Sequence, residues 1–307
     1  MKGIIWGFLL FLVSGFGLFK TGLRLEYTFQ LGDEYRIMQN TNQTIKQFIM
    51  GMEQLGENVY AGEIRMRVIE LTKTGARLEA QFIKLKNASK SFMGDLTMDS
   101  EGTDETVQNR VFKAILRKSF FIVLNKSGKV EYVEGEENLW SGVSAFDLDN
   151  GTDVPLKMML NQMLSKSALK SNVEQAMVYY TDRYVKPGDS WTSKNEFPMD
   201  FPIQVYNSWS LTKVTDAKAS VSANGIYATT DREKVLTLPN GMKAKVDLNG
   251  TQSMEASVST KTGWPTALSI FSKLKGKMVL LAGGLLPMDM DIPMEILTET
   301  QYTIVKM

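Results

Sequence analysis

The sequence predicts an α+β protein, mainly antiparallel β, with long curved sheet or sheets in two similar halves and a helical insertion between them. Three observations carry this prediction. Residues 242–258 alternate without a break: Met242, Ala244, Val246, Leu248, Gly250, Gln252, Met254, Ala256 and Val258 share one side, while Lys243, Lys245, Asp247, Asn249, Thr251, Ser253, Glu255 and Ser257 share the other. Period two over that length is a half-buried antiparallel strand. Between residues 153 and 186 the spacing changes, and Leu156, Met159, Leu160, Met163 and Leu164 recur as one helix face. Finally, two turn motifs return in the same order. Gly32-Asp33 and Gly188-Asp189 open the halves, and Lys126-Ser127-Gly128 and Lys261-Thr262-Gly263 close hairpins late in each. The recurrence points to an internal repeat, although Gly-Asp is also ordinary turn chemistry.

The divisions that follow are residues 1–20 as a signal peptide, 21–152 as an N-terminal β-rich half, 153–186 as a helical connector and 187–307 as a C-terminal β-rich half. Met1-Lys2 is a short cationic start, residues 3–19 are apolar, and Ser14, Gly15 and Gly17 offer small residues for cleavage. Seventeen apolar residues are marginal for spanning a bilayer, so a cleaved export signal is the expectation over an anchor. Export without a single cysteine suits the periplasm or cell envelope of a bacterium.

In chain order, residues 23–31 read as a first strand. Residues 35–51 read as a long second one in which Thr, Asn and Gln replace many apolar residues; as one strand it would span about 55 Å, which implies a twisted sheet. Tyr60, Ile64, Met66 and Val68 share a face of the next strand. Lys73-Thr74-Gly75 turns it into Leu78, Ala80 and Phe82. Residues 93–105, acidic and Gly-containing, read as a loop. Short helices are expected around Val107–Ile115 and around Leu139, Trp140 and Val143, with a hairpin of residues 120–124 and 130–133 between them. In the connector, Pro155 suits a first helical turn. Ser171-Asn172-Val173-Glu174 resembles a capping box and predicts a second helix with a stripe of Val173, Met177, Tyr180 and Tyr184. Strands then follow at Ile203–Leu211, Ala219–Ala223, the long alternating segment, residues 264–278 and residues 292–304. Residues 279–291 read as a loop.

Composition narrows the chemistry. Lys+Arg of 35 against Asp+Glu of 34 leaves no basic surplus for nucleic acid. With no cysteine and no histidine, thiolate sites, Cys nucleophiles and Ser-His-Asp triads are excluded by count. No enzyme and no cofactor is expected: the reading is a non-catalytic binding module, with a structural or interaction protein of the cell envelope and a carboxylate-based enzyme as its alternatives. A cavity between sheet and helices is the expected binding site, lined by Met159, Met163, Met177, Tyr180, Val246 and Leu248. Its occupant would be an apolar small molecule or lipid, and an envelope protein is the alternative partner. Asp147, Asp149 and Asp153 flank Asn150-Gly151 and could offer oxygens to Ca²⁺, but the glycine falls one place early for an EF-hand and Met158 stands where its last carboxylate belongs. An acidic turn before a helix accounts for the same residues. Met288, Met290 and Met294 resemble a thioether cluster, and Asp99, Glu101, Asp104 and Glu105 a carboxylate one; packing and solvated loop surface account for these.

Several short motifs carry a resemblance to known proteins: Leu31-Gly32-Asp33-Glu34-Tyr35, the hairpin Phe121-Ile122-Val123-Leu124-Asn125-Lys126-Ser127-Gly128-Lys129-Val130, Val133-Glu134-Gly135, and Pro187-Gly188-Asp189-Ser190-Trp191. On these the chain resembles a family of uncharacterised secreted bacterial proteins, a domain of unknown function. That resemblance implies export and brings no activity. In architecture, long antiparallel strands with a helical insertion are similar to lipoprotein-carrier folds, in which a curved sheet plugged by helices leaves an apolar cavity.

Overall fold

The computed structural model describes residues 22–91, 94–146, 148, 154–196, 202–238, 241–283 and 286–307. The expected signal, residues 1–20, lies outside them.

Among the described residues thirteen strands form one antiparallel sheet. They are β1 (Glu34–Ile49), β2 (Met52–Leu71), β3 (Gly75–Ser91), β4 (Gly94–Asp99), β5 (Ser119–Asn125), β6 (Val130–Glu134), β7 (Ser190–Glu196), β8 (Ile203–Val214), β9 (Lys218–Thr229), β10 (Leu236–Thr237), β11 (Lys243–Ser259), β12 (Pro265–Leu280) and β13 (Met290–Lys306). Their order is β6-β5-β3-β2-β1-β13-β12-β11-β9-β8-β7, with β4 on β3 and β10 on β11. The sheet is open, and β6 and β7 are its ends. Each half therefore lays down its strands in the same spatial order, and β13 joins them by pairing with both β12 and β1.

The recurring turns occupy matching places. Gly32 donates its N–H to Val68 and Asp33 accepts from Val68; Gly188 donates to Leu211 and Asp189 accepts from Leu211. Each pair sits just before the first strand of its half and bonds to the second strand. Likewise Gly128 turns β5 into β6, and Gly263 turns β11 into β12.

Among the described residues four helices lie between strands: α1 (Val107–Ile115), α2 (Glu136–Val143), α3 (Val154–Leu164) and α4 (Lys166–Gln175). Because β6 and β7 are opposite edges, α2 to α4 and the segment after them carry the chain across one face of the sheet. That inner face holds the main core. Leu139, Leu160, Leu164, Leu169 and Val173 from the helices pack with Leu78, Phe82, Phe120 and Ile122 on one flank, and the crossing segment packs with Trp209, Ala256, Val258 and Leu268 on the other.

Three expectations need correction. Residues 23–31 form no ladder strand. Leu23 pairs only with Val185, and Tyr27 and Thr28 donate their N–H groups to the carbonyls of Lys126 and Thr262, which lie in the two Lys-x-Gly turns. Within residues 93–105, β4 forms because β3 is long enough to pair with it from Lys86 to Ser91, and Met98 is fully buried there. The second connector helix begins earlier and ends earlier than its pattern implies. Ser165 caps α4 by accepting from the Ala168 N–H, which places Ser171 and Glu174 inside the helix rather than at its start. Beyond Ala176 the chain leaves the helix, because the Val178 N–H goes to the Tyr27 hydroxyl and the Tyr180 N–H to the Ser127 carbonyl. Met177, Tyr180 and Tyr184 are thus not a helical stripe.

An aromatic cluster seals this crossing. The Tyr27 hydroxyl accepts from the Val178 N–H at 2.9 Å and donates to the Val178 carbonyl at 3.2 Å. Trp264 stacks on Tyr35 with ring centroids 3.8 Å apart and meets Tyr27 edge-on at 5.3 Å. The Tyr180 hydroxyl donates to the Gly263 carbonyl at 2.6 Å. Trp209 and Trp264 are almost fully enclosed in this β-core.

Candidate functional site

The strands are longer than the helical layer that covers them. Past the end of α4, the inner face of β1, β13, β12, β11, β9 and β8 forms a cavity of about 430 Å³. Ser171, Glu174 and Gln175 of α4, with Met177 and Tyr179, line one end; the strands supply the walls.

The walls are of two kinds. On the side away from the helices, Ile203, Val205, Val246, Leu248, Leu274 and Ile296 project inward, with Met278 and Met294. Between this apolar patch and the main core runs a polar band. Strand register sets Ser193, Asn207, Gly225, Gln252, Ser272, Thr298, Gln43, Asn58 and Ser89 in one row across nine strands. Antiparallel pairing requires neighbours in such a row to share a face. Asn207, Gln252 and Ser272 are 5%, 8% and 7% exposed, so their polar atoms are shielded from bulk water.

Two hydrogen-bonded chains run along the row. From one side, Asn58 Nδ2 donates to Gln43 Oε1 at 3.1 Å, and Gln43 Nε2 donates to Thr298 Oγ1 at 3.2 Å. From the other, the Tyr227 hydroxyl donates to Gln252 Oε1, and Gln252 Nε2 donates to Asn207 Oδ1 at 2.6 Å. Gly225 is required between them: a Cβ there would overlap the Asn207 Oδ1 atom. Register places Ser272 between the two chains, beside Gln252 on one side and Thr298 on the other. One row nearer the main core, Thr41 and Thr300 share a 3.0 Å hydroxyl contact.

Among the described residues that line the cavity, Glu174 carries the formal charge. Its Oε1 accepts the Val130 N–H at 3.0 Å, and burial holds the carboxyl above the usual carboxylate range. Burial likewise raises Tyr227, Tyr302 and Tyr60, the last to about 12, so these phenols are neutral at physiological pH. A raised carboxyl binds protons in the fold that the unfolded chain has already released. Stability linked to Glu174 is therefore greatest below the unfolded carboxylate pKa and declines as pH rises toward the folded one. Glu174→Gln, which keeps an oxygen for the Val130 N–H, is expected to be more stable than the parent at pH 7 and to lose that advantage near pH 4. Urea unfolding midpoints at the two pH values check this.

Of the expected lining residues, Met177, Val246 and Leu248 face the cavity. Met159, Met163 and Tyr180 do not. The two methionines sit on α3 against the main core, with Met159 Sδ accepting from Asn87 Nδ2 at 3.7 Å, and Tyr180 is fixed under Gly263. For the methionines the reason is that α3 packs over the main core, and for Tyr180 that the second helix ends before it. Asp147, Asp149 and Asp153 lie outside the described residues. No group of three or more His, Cys, Asp or Glu able to hold a metal occurs among the described residues. Met288 is exposed, Met290 packs beside Ala244, Leu280 and Ile292, and Met294 faces the cavity, so the three thioethers diverge. The acidic residues near 100 are surface partners: Asp99 of Lys86, Glu101 of Lys84 and Glu105 of Lys113.

Sequence reasoning missed the polar band. A signal was present: Gln252 interrupts the inward-facing side of the alternating segment, and Thr and Gln recur at inward positions of β1 and β13. Their alignment into one row depends on register between strands far apart in sequence.

Solved structures with a similar course of the chain have low scores. A structure of lipid–protein interactions in lipovitellin is 8% identical, with 91% of this chain and 25% of that one covered and a TM-score of 0.45. The chain thus spans about a quarter of the lipovitellin chain it matches. An outer membrane channel from Pseudomonas putida F1 is 7% identical over 91% of this chain and 97% of that one, at a TM-score of 0.28. DynF from the dynemicin biosynthesis pathway of Micromonospora chersina is 9% identical over 93% and 86%, at 0.23. These scores are too low to bear on function. No curated protein matches the sequence. A family model matches residues 73–265, from the turn before β3 to the start of β12, and the chain belongs to that family, the family of unknown function DUF6263.

Proposed function

We propose that this protein is a non-catalytic binding module that holds an apolar or amphipathic small molecule, such as a lipid, against the inner face of its sheet. The observation that carries this reading is the cavity of about 430 Å³, lined by uncharged strand side chains that present mostly apolar surface. That volume falls within the range of small-molecule sites, and an apolar wall with a few placed polar groups is their usual composition. The absence of His and Cys from the sequence, and the commitment of Glu174 to a backbone amide, support binding without catalysis. The apolar segment at residues 3–19, after Met1-Lys2, supports export and action in a bacterial periplasm or envelope.

Native mass spectrometry of the protein purified without harsh detergent tests the reading. A reproducible adduct that organic solvent removes, and that returns on adding fatty acids, acylglycerols or phospholipids, is the expected result. Leu248→Trp, which fills the apolar wall, should reduce uptake at least tenfold while leaving the fold intact. A bare mass for the parent, with no uptake of any of these lipids, would overturn it.

A second reading, an interaction protein of the envelope, is favoured by one observation. The β1–β2 hairpin exposes Phe48, Met50, Met52 and Leu55 at its tip, with Met50 81% exposed and in the left-handed region at φ +51°. Folding gains nothing from a bulky apolar side chain placed there.

A further inference from the structure

The polar band says more about the ligand than the cavity volume does. An apolar row in the middle of the sheet would be simpler to bury, since each shielded amide or hydroxyl needs a partner. Here Asn207, Gln252 and Ser272 are all more than nine-tenths buried, and they are flanked on both sides by apolar side chains. One hydrogen-bonded chain ends on Thr298 and the other runs from Tyr227 through Gln252 to Asn207, with Ser272 between them at the cavity wall, bonded to the Tyr227 hydroxyl. Thr298, which accepts one bond from Gln43, retains a proton to donate, and Ser272, bonded to Tyr227, retains lone pairs to accept.

Formal charge is placed otherwise. Among the described residues that line the cavity there is no lysine or arginine, and the carboxyl of Glu174 stands at its helical end. An anionic head would enter without a counter-charge and near a carboxyl, which is unfavourable away from water.

Resting on the binding-module reading above, we propose that the ligand is an uncharged amphiphile. Its alcohol, ester or amide head would hydrogen-bond at Ser272, Thr298 and Asn207, and its alkyl chain would run along Val205, Leu248, Leu274 and Ile296. The cavity of about 430 Å³ has room for roughly 14 atoms of water size, near a dodecyl chain with a small head.

Trp209 lines the cavity and serves as a fluorescence reporter. The full chain would be titrated with 1-monolauroylglycerol, dodecanoate and dodecanol at pH 7, each below its critical micelle concentration, with calorimetry as a second readout. Monolauroylglycerol and dodecanol should bind at least tenfold more tightly than dodecanoate. In Ser272→Ala/Thr298→Val the neutral ligands should weaken about tenfold and dodecanoate much less, so the preference shrinks. If dodecanoate binds as well as the neutral pair, the assignment of an uncharged head is wrong and the binding module stands. If none of the three binds, both fall. The preference measured on the unaltered chain decides the question even where the double variant does not fold.

Discussion

Replacing Gly263 with alanine should destabilise the protein by about 3 kcal/mol, and Gly128→Ala by a similar amount. Gly263 sits at φ +70° and Gly128 at φ +91°, where an L side chain is strained by about 1–2 kcal/mol. Both turns also press directly on other backbone. A Cβ at Gly263 would overlap the Glu26 carbonyl oxygen, and one at Gly128 would overlap the Val178 carbonyl oxygen and the Tyr27 ring. Relieving that overlap moves packed backbone, which adds about 1–3 kcal/mol. Gly188 separates the two contributions. Its φ is +96°, yet a Cβ there meets no atom within 4 Å, so Gly188→Ala should cost only about 1 kcal/mol. Urea unfolding of the three variants reads the difference directly. Equal losses at all three positions would show that the turns do not clamp the crossing segments.

Tyr27→Ala is expected to have the larger effect, about 4–5 kcal/mol, enough to unfold a marginal protein. The side chain is fully buried among Phe29, Tyr180 and Trp264, and its hydroxyl bonds to both the N–H and the carbonyl of Val178. Alanine leaves a ring-sized cavity and two buried backbone groups without partners. Tyr27→Phe keeps the ring and removes only the hydroxyl, and should cost about 1–3 kcal/mol. The two variants together divide packing from hydrogen bonding. Should Tyr27→Phe leave the unfolding midpoint unchanged, the Val178 backbone must find another partner, and the interlock described here would not be what holds the crossing segment.

These predictions concern residues whose importance the sequence showed only in part. Gly128 and Gly263 were visible as recurring turn signals, and the strand on either side of each was legible from alternation. That both turns face the same tyrosine from opposite halves was not. The helix ending at Gln175 illustrates the same division. Its apolar spacing continued through Met177 and Tyr180, and Ser171 with Glu174 looked like a start signal. Local pattern was outweighed by two distant acceptors and donors, Tyr27 and Ser127, that take the backbone groups a longer helix would use.

For the candidate site the contrast is sharper. Val246 and Leu248 were found because they lie on a strand whose period two is unmistakable. Met159 and Met163 were misplaced because α3 packs over the main core beside β3, and Tyr180 because the second helix ends before it. The polar band was overlooked because each of its members is an isolated Ser, Thr, Asn or Gln in its own strand. The sequence by itself determined the alternation of long strands, the helical break between the halves, the turn glycines and the absence of His and Cys chemistry. Tertiary structure alone decided which strand lies beside which, since pairing β1 with β13 joins segments more than two hundred residues apart. That pairing aligns Gln43 with Thr298 and, through β12 and β11, with Ser272 and Gln252. Register is a property of two strands at once, and no single segment encodes it.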